Sequence, residues 1–236
     1  MLFRSGTDED TFEYWRHQRM QWYLGLGIKK DKLRFREHEP DELAHYARRA
    51  MDIEYEFPFG WHEFEGIHNR TDFDLSRHQA ASGKKLEYLD TVTNQRFIPY
   101  VVETSAGADR TALVALVDAY HEEEVEGEKR VVLRFQPSLA PLKAAVFPLV
   151  NKDGMPELAR RIYDDLRRQY NVFYDDGGSI GRRYRRQDEA GTPFGVTVDG
   201  QSTQDQTVTV RDRDTLKQDR VAASQLAGYL ADHLAR

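Results

Sequence analysis

The segment Glu103-Thr-Ser-Ala-Gly-Ala-Asp-Arg110 places an acid, a hydroxyl, a small-residue turn and an arginine within eight residues. It follows the β-rich run Arg96-Phe-Ile-Pro-Tyr-Val-Val102 and precedes the apolar run Thr111-Ala-Leu-Val-Ala-Leu-Val117. In extended backbone Glu103 and Ser105 project to one side, so together they suit a small ligand or a magnesium ion. Gly107 and its alanine neighbours remove bulk where the chain bends, which lets backbone approach a ligand. A helix starting there turns its free N–H groups toward the bend, and Arg110 adds a planar cationic fork suited to phosphate. The combination favours an anionic ligand such as a nucleotide. The plain alternative is a strand–turn–helix junction with a salt-bridged acid, a capping serine and a surface arginine.

Upstream, the run Gly60-Trp-His-Glu-Phe-Glu-Gly-Ile-His-Asn-Arg-Thr-Asp-Phe-Asp-Leu-Ser-Arg-His78 offers a second set. Binding a carboxylate is what the guanidinium of Arg70 does best, whether that carboxylate belongs to a ligand or to Asp72 or Asp74 of the chain itself. Strand alternation predicts that Glu63 and Glu65 share one face. His62, His68 and His78 match no zinc-ligand spacing, and surface or core roles are expected for them. The densest basic cluster, Gly181-Arg-Arg-Tyr-Arg-Arg186, carries an aromatic residue and suits RNA phosphate or base stacking through Arg182, Arg183, Arg185 and Arg186. Solvated faces produce such runs too, and Asp188 and Glu189 offset part of the charge.

The elements that must position these residues are legible in outline. Phe12, Trp15, Arg19, Trp22 and Tyr23 recur near helical spacing and predict an amphipathic helix over 11–24, its start marked by Asp8-Glu-Asp10 and its aromatics in the core. A second short helix is expected over 41–50, strand from Met51, and a hairpin within 85–100 that turns near Asp90-Thr-Val-Thr-Asn94. The polar stretch His121-Glu-Glu-Glu-Val-Glu-Gly-Glu-Lys-Arg130 has nothing to bury, and a domain boundary is expected there. Beyond it, strands at 131–135, 144–150, 172–174, 194–198 and 207–210 alternate with a helix from Pro156, bearing Leu158, Ile162, Leu166 and Tyr170, and a closing helix bearing Ala222, Leu226, Leu230 and Leu234. That alternation implies a small α/β domain with a mixed or parallel sheet.

A chain of 236 residues is long enough for two modest domains. No apolar run approaches the ~20 residues that span a bilayer, no secretory leader is evident, and there is no cysteine for disulfides or thiolate metal sites. A soluble, cytoplasmic protein with no membrane partner is the expectation. The net charge of −6 argues mildly against a nucleic-acid partner held by the field of the whole molecule, so any RNA must meet local basic patches.

Taken with Phe135-Gln-Pro-Ser-Leu-Ala-Pro-Leu-Lys143 and Ile180-Gly-Arg-Arg-Tyr-Arg-Arg-Gln-Asp-Glu-Ala-Gly-Thr-Pro-Phe194, the two site segments resemble glycyl-tRNA synthetase of the homodimeric class II type. The 103–117 segment resembles that family's motif 3, Gly60–His78 the strand and loop of its glycine pocket, and the later segments its anticodon-binding domain. The resemblance covers nearly the whole chain. It implies an α+β remainder of a class II synthetase antiparallel-sheet catalytic domain over 1–130, followed by a small α/β anticodon-binding domain over 131–236. It also implies ATP and Mg2+, with glycine and tRNA-Gly as further partners, a homodimer, and no DNA. By that resemblance Glu63, Arg70, Glu103 and Ser105 line the glycine pocket, with Arg70 on the glycine carboxylate and Glu63 on the polar floor; Glu103 and Arg110 serve ATP, Glu103 lies near the metal, and both are catalytic. Neither motif 1 nor motif 2 of the family is found, and the chain begins shortly after motif 2. The expectation is therefore a sheet lacking central strands, with negligible aminoacylation by this chain alone and a tendency to aggregate or need a partner. The rival expectation is a non-catalytic accessory protein that holds nucleic acid; an unrelated nucleotide-binding α/β enzyme leaves most of the motifs unused.

Overall fold

The computed structural model describes residues 2–125 and 127–235. The chain divides into two compact units, Met1–Ala115 and Leu116–Arg236.

In the first unit the order is β1 (Leu2–Phe3), α1 (Asp8–Gly25), a 3-10 turn at Lys30–Lys32, β2 (Leu33–Glu37), β3 (Arg49–Phe57), β4 (Gly60–Thr71), α2 (Phe73–Ser82), a small hairpin of β5 (Tyr88–Asp90) and β6 (Gln95–Phe97), β7 (Tyr100–Ala106) and α3 (Ala108–Ala119), which runs across the division. The sheet is antiparallel throughout, in the order β1-β7-β4-β3-β2. Helix α1 covers one face of it: Phe12 and Tyr23 are fully buried, as are Ile53, Ile67 and Val102, and the Tyr23 ring lies 4.5 Å from that of Phe64. Trp22, expected in the core, is 45% exposed and instead carries the Arg19 guanidinium 4.3 Å above its ring. Residues 41–48, expected to be helical, form turns, and β3 begins at Arg49. Capping replaces propagation there: Arg36 and the backbone N–H of Glu39 both bind the Glu42 carboxylate, at 2.5 and 3.1 Å.

Strand β4 carries two irregularities, one toward β7 at Arg70 and one toward β3 at Phe64, and the second decides where its glutamates point. Glu65 pairs with Ile53 but Glu63 pairs with Glu54, so Phe64 is an extra residue in β4. A bulge of this kind breaks the two-residue alternation. Phe64 and Glu65 both turn to the α1 side, where Glu65, 1% exposed, accepts hydrogen bonds from Arg19 Nε at 2.6 Å and from the Tyr23 hydroxyl. Glu63 is exposed. The expectation that the two glutamates share a face therefore fails.

The second unit contains β8 (Tyr120–Val125), β9 (Glu128–Leu133), β10 (Ala144–Pro148), α4 (Met155–Leu166), β11 (Val172–Tyr174), α5 (Ile180–Ala190), β12 (Phe194–Val198), α6 (Ser202–Asp205), β13 (Thr207–Asp212), β14 (Gln218–Ala222), a 3-10 turn at Ala223–Gln225 and α7 (Leu226–Leu234). Its sheet, β11-β10-β12-β13-β14, is parallel across the first three strands and antiparallel across the last three. Strands β10 and β12 are buried at every residue, the mark of parallel strands covered on both faces. Leu158, Ile162 and Leu166 of α4 and Leu226, Leu230 and Leu234 of α7 join Val146, Val196 and Val210 in one core. On the other face α5 lays Tyr184 against Phe147, ring centroids 5.2 Å apart.

The stretch expected to be a linker is the β8–β9 hairpin, and the two units part before it, at 115/116 rather than 130/131. Its acids have a use that hydrophobic patterning does not reveal. Arg130, 7% exposed, binds Glu123 within the hairpin, Asp188 of α5 at 3.0 Å and the backbone oxygen of Arg213.

A Cβ at Gly195 would lie inside contact distance of Tyr184 Cε1 and 3.2 Å from Phe147 Cε2, at a point where both rings are held. Gly195→Ala is expected to lower stability by about 1–3 kcal/mol through overpacking, read as a reduced urea midpoint at unchanged slope.

Candidate functional site

The face of the sheet away from α1 carries the chemistry. Register places Gly66 opposite Ser105 and His68 opposite Glu103, while Asp52 of β3 pairs with Gly66 from the other side. Paired residues point to the same face, so Asp52, Gly66, His68, Glu103 and Ser105 form one polar strip, which Arg70, the extra residue of a second bulge between Asn69 and Thr71, joins through Glu103.

Arg70 organises it. Nη1 donates to Glu103 Oε2 at 2.6 Å, Nε to Asp74 Oδ2 at 2.7 Å and Nη2 to Asp74 Oδ1 at 3.2 Å, while the Tyr46 ring lies 3.9 Å from the guanidinium carbon. Of the five N–H groups of a guanidinium, these contacts leave one on each terminal nitrogen. The internal Arg70–Asp74 pair is thus present, and Glu103 joins it. Asp74 and then Glu103 stabilise the charged guanidinium and raise its pKa, and the same contact holds the Asp74 carboxyl below its ordinary value. Two carboxylates around one cation leave a net charge of about −1, which favours an ammonium group beside the free oxygen of Glu103. A cavity of about 660 Å³ at the edge of the sheet is lined by Arg70, Asp74, His78, Val101 and Glu103 together with Trp15 of α1, Val102 and Thr104; Ser105 and His68 do not line it.

Arg110 stands elsewhere. It is exposed in the first turn of α3, and its Nη1 donates to the backbone oxygen of Glu63 at 2.8 Å. Glu63 and Arg110 line a second cavity of about 280 Å³ with Phe57, Phe59, His62 and Leu113. Phe59 stacks on Phe57, centroids 4.9 Å apart and planes 9° from parallel. Glu63 and Arg70 are seven positions apart along β4, at most about 23 Å at the ~3.3 Å rise of a regular strand. The structure therefore places Arg70 with Glu103 toward one end of β4, Ser105 in the middle opposite Gly66, and Glu63 with Arg110 toward the other end.

Magnesium usually keeps several waters and takes one or two carboxylates plus substrate phosphates. Among the described residues no group of three or more histidines and acids could hold an ion by itself. Glu103, with its side chain 36% exposed and one oxygen on Arg70, fits a single contact to an ion carried by phosphates. The three histidines are dispersed: His62 lies against Phe59 at 5.2 Å, His68 beside Glu103, and His78 on α2.

The basic cluster on α5 is less available than its sequence implies. Arg183 is 3% exposed and donates to the carbonyls of Pro148, Asp176 and Gly178, tying the loop after β11 to the end of β10. Arg183 is therefore withdrawn from RNA. Arg185 binds Glu128 at 2.6 Å, and Arg186 binds Asp175 and the carbonyl of Gly177. Both are exposed side chains whose partners can be exchanged, and Arg182 is exposed with no ion pair among the described residues.

Sequence reasoning gave His68 only a surface or core role and passed over Gly66 and Tyr46. The alternation Gly66, His68, Arg70 was the available signal for the first two; nothing local marks Tyr46, which reaches Arg70 from a turn.

An antiparallel sheet carrying the site in one unit and a mixed sheet in the other is the fold of a class II aminoacyl-tRNA synthetase joined to its anticodon-binding domain. The anticodon binding domain family matches residues 143–233. A crystal structure of prolyl-tRNA synthetase from Cryptosporidium parvum, complexed with L-proline and AMP, has the same fold at a TM-score of 0.68 and 14% identity, covering 97% of this chain and 47% of that one. Glycine–tRNA ligases are far more similar in sequence. Those of Thermobifida fusca and Chlorobaculum tepidum are 53% and 54% identical, each over 98% of this chain, and that of Caldanaerobacter subterraneus is 53% identical over 98%. The chain covers 52%, 49% and 50% of these three, so it spans about half the length of the curated relatives it matches. Over nearly its whole length the chain is thus similar to glycine–tRNA ligases, and its 143–233 segment to an anticodon-binding domain. Among the described residues no helix is long and apolar enough to cross a membrane.

Because Arg70 depresses the Asp74 carboxyl from its ordinary 3.8, the pair contributes stability that is complete above about pH 4 and is lost as pH falls through the depressed value. Arg70→Gln is expected to cost about 1 kcal/mol at pH 7, reduced from larger values by partial exposure, and the deficit should shrink below pH 4. Urea unfolding of both proteins at pH 7 and pH 3 measures it.

Proposed function

We propose that this chain carries the glycine-recognising strip and the tRNA-binding domain of a glycine–tRNA ligase. The observation that carries the reading is the Arg70–Glu103 pair beside Ser105 on an open sheet face, in a chain about half identical to glycine–tRNA ligases over nearly its whole length.

In the whole enzyme, the glycine ammonium sits against the free Glu103 oxygen and the Ser105 hydroxyl, and the glycine carboxylate takes the remaining N–H groups of Arg70. One carboxylate oxygen then attacks the α-phosphorus of ATP. The bond to the bridging oxygen breaks, giving glycyl-adenylate and pyrophosphate. The terminal ribose hydroxyl of tRNA-Gly next attacks the activated carbonyl, and AMP leaves. No side chain of this strip becomes covalently attached; the contribution is positioning and charge complementarity. Arg110, fixed by the Glu63 carbonyl, meets the phosphates with its other nitrogens and with the N-terminal end of α3 behind it. Magnesium, when bound, would be held mainly by the phosphates and would supply charge neutralisation at the triphosphate, the free Glu103 oxygen being taken by the glycine ammonium.

The functional role of Glu63 is thereby moved from the glycine floor to the support of Arg110. Arg182, Arg185 and Arg186 form the RNA-facing side of α5. The whole protein is expected to act in the cytoplasm as a homodimer. Since Arg110 is the one cation in this reading assigned to phosphate, glycine-dependent pyrophosphate exchange by this chain alone should fall below detection.

Binding can be tested without turnover. Titration of the purified chain by NMR is expected to show glycine binding that Glu103→Gln weakens at least about tenfold, the equivalent of one charge-assisted hydrogen bond. Arg110→Ala should weaken ATP and leave glycine unchanged. Unaltered glycine affinity in the folded Glu103→Gln protein removes the assignment.

A further inference from the structure

One residue in the middle of the strip has no role in the reaction as described. His68 is the β4 partner of Glu103, lies two residues from both Gly66 and Arg70, and is half-buried. Its ring lies over Gly66: a Cβ on residue 66 would stand 2.7 Å from His68 Cε1 and 3.4 Å from Nδ1, with Asp52 Oδ1 at 3.7 Å. Only glycine at 66 lets the imidazole lie that close to the sheet. The ring is flanked by His38, 6.3 Å away at 78°, and by Tyr46, 6.3 Å away at 60°.

Its hydrogen bonding is unusual for a buried histidine. Nδ1 is shielded from solvent and has no hydrogen-bond partner. A buried polar atom left unpaired carries a cost of about 1–3 kcal/mol, so packing rather than hydrogen bonding at Nδ1 sets where this ring lies. Burial pushes the imidazole below its ordinary pKa; Glu103 and Asp52 oppose that, while His38 and Arg70 add to it. The ring is neutral at physiological pH and acts as a flat, uncharged body between charged neighbours.

We propose that His68 is a specificity-determining residue: its imidazole, seated on Gly66, occupies the space that the side chain of any amino acid larger than glycine would need beside Glu103 and Ser105. The proposal rests on the reading of this strip as an amino-acid pocket and adds the residue that bounds it. A polar pair such as Glu103 and Arg70 orients the ammonium and carboxylate shared by all α-amino acids and cannot tell them apart. Discrimination requires a wall where Cβ would go, and one methyl group in a filled site is worth about 10–200-fold. Gly66 is the recess that admits the wall, and the His38 and Tyr46 rings flank it.

The test uses this chain, titrated with glycine and with L-alanine and followed by NMR, including the His68 ring signals. In the wild type, glycine is expected to shift those signals and alanine to bind about 10–200-fold more weakly. His68→Ala should bring alanine at least tenfold closer to glycine, whereas His68→Phe, which keeps a flat ring and removes both nitrogens, should preserve most of the discrimination. Gly66→Ala, which displaces the ring without deleting it, should weaken glycine itself and provides an independent measurement if His68→Ala does not fold. A folded His68→Ala protein with wild-type selectivity overturns the proposal and leaves the pocket assignment standing. Failure of the wild-type chain to respond to glycine overturns both.

Discussion

The guanidinium of Arg70 is the contact on which the open face of the first unit depends. Asp74 and Glu103 come from α2 and β7, and Asp52 faces the same side from β3. Without a cation between them, these carboxylates would repel one another across a few ångströms in a partly dehydrated recess, where such repulsion is stronger than in bulk water. Arg70 converts that liability into a cross-link joining the end of β4, the next helix and the neighbouring strand. Tyr46 completes the arrangement by stacking on the cation from a turn that has no helical structure of its own. The geometry of Glu103, and therefore of whatever it binds, is inherited from this one side chain.

The opposite face uses the same device for another purpose. Arg19 and Tyr23 of α1 converge on buried Glu65, fixing the helix against the sheet by a charged contact within an aromatic core. Regular alternation with Ile67 and Asn69 puts Glu65 on this side, and the bulge at Phe64 is what sends Glu63 to the other face. In the second unit Arg130, Arg211 and Asp188 repeat the pattern, with Arg213 capping backbone carbonyls of Gly191 and Phe135. Arginine–carboxylate clusters, costly to break by removal of one partner, thus locate elements in both units.

Much of this arrangement was legible in the sequence, and the exceptions have specific causes. The periodicity of Leu158, Ile162 and Leu166 and the continuous apolar strands 144–148 and 194–198 stood out because apolar burial leaves a repeating trace. The pairing of Arg70 with Asp74 was an open possibility for the same reason that i,i+4 spacing is readable. Three features were not. The bulge at Phe64 depends on partner register and no single strand records it. The β8–β9 hairpin is rich in acids and is anchored by Arg130, which binds Glu123 within it and Asp188 on α5, so its composition mimics a linker. The α5 arginines read as one basic surface, yet Arg183 is turned inward to three carbonyls.

Strand β7 carries Glu103 and Ser105, and its two edges are unequal. Toward β4 it is paired from Val101 to Ala106, whereas toward β1 the described ladder covers only Tyr100 and Val101. From Glu103 onward the described ladder gives β7 no partner strand on that margin, so solvent exchange along β7 should be asymmetric, with protected amides alternating with labile ones inside a single strand.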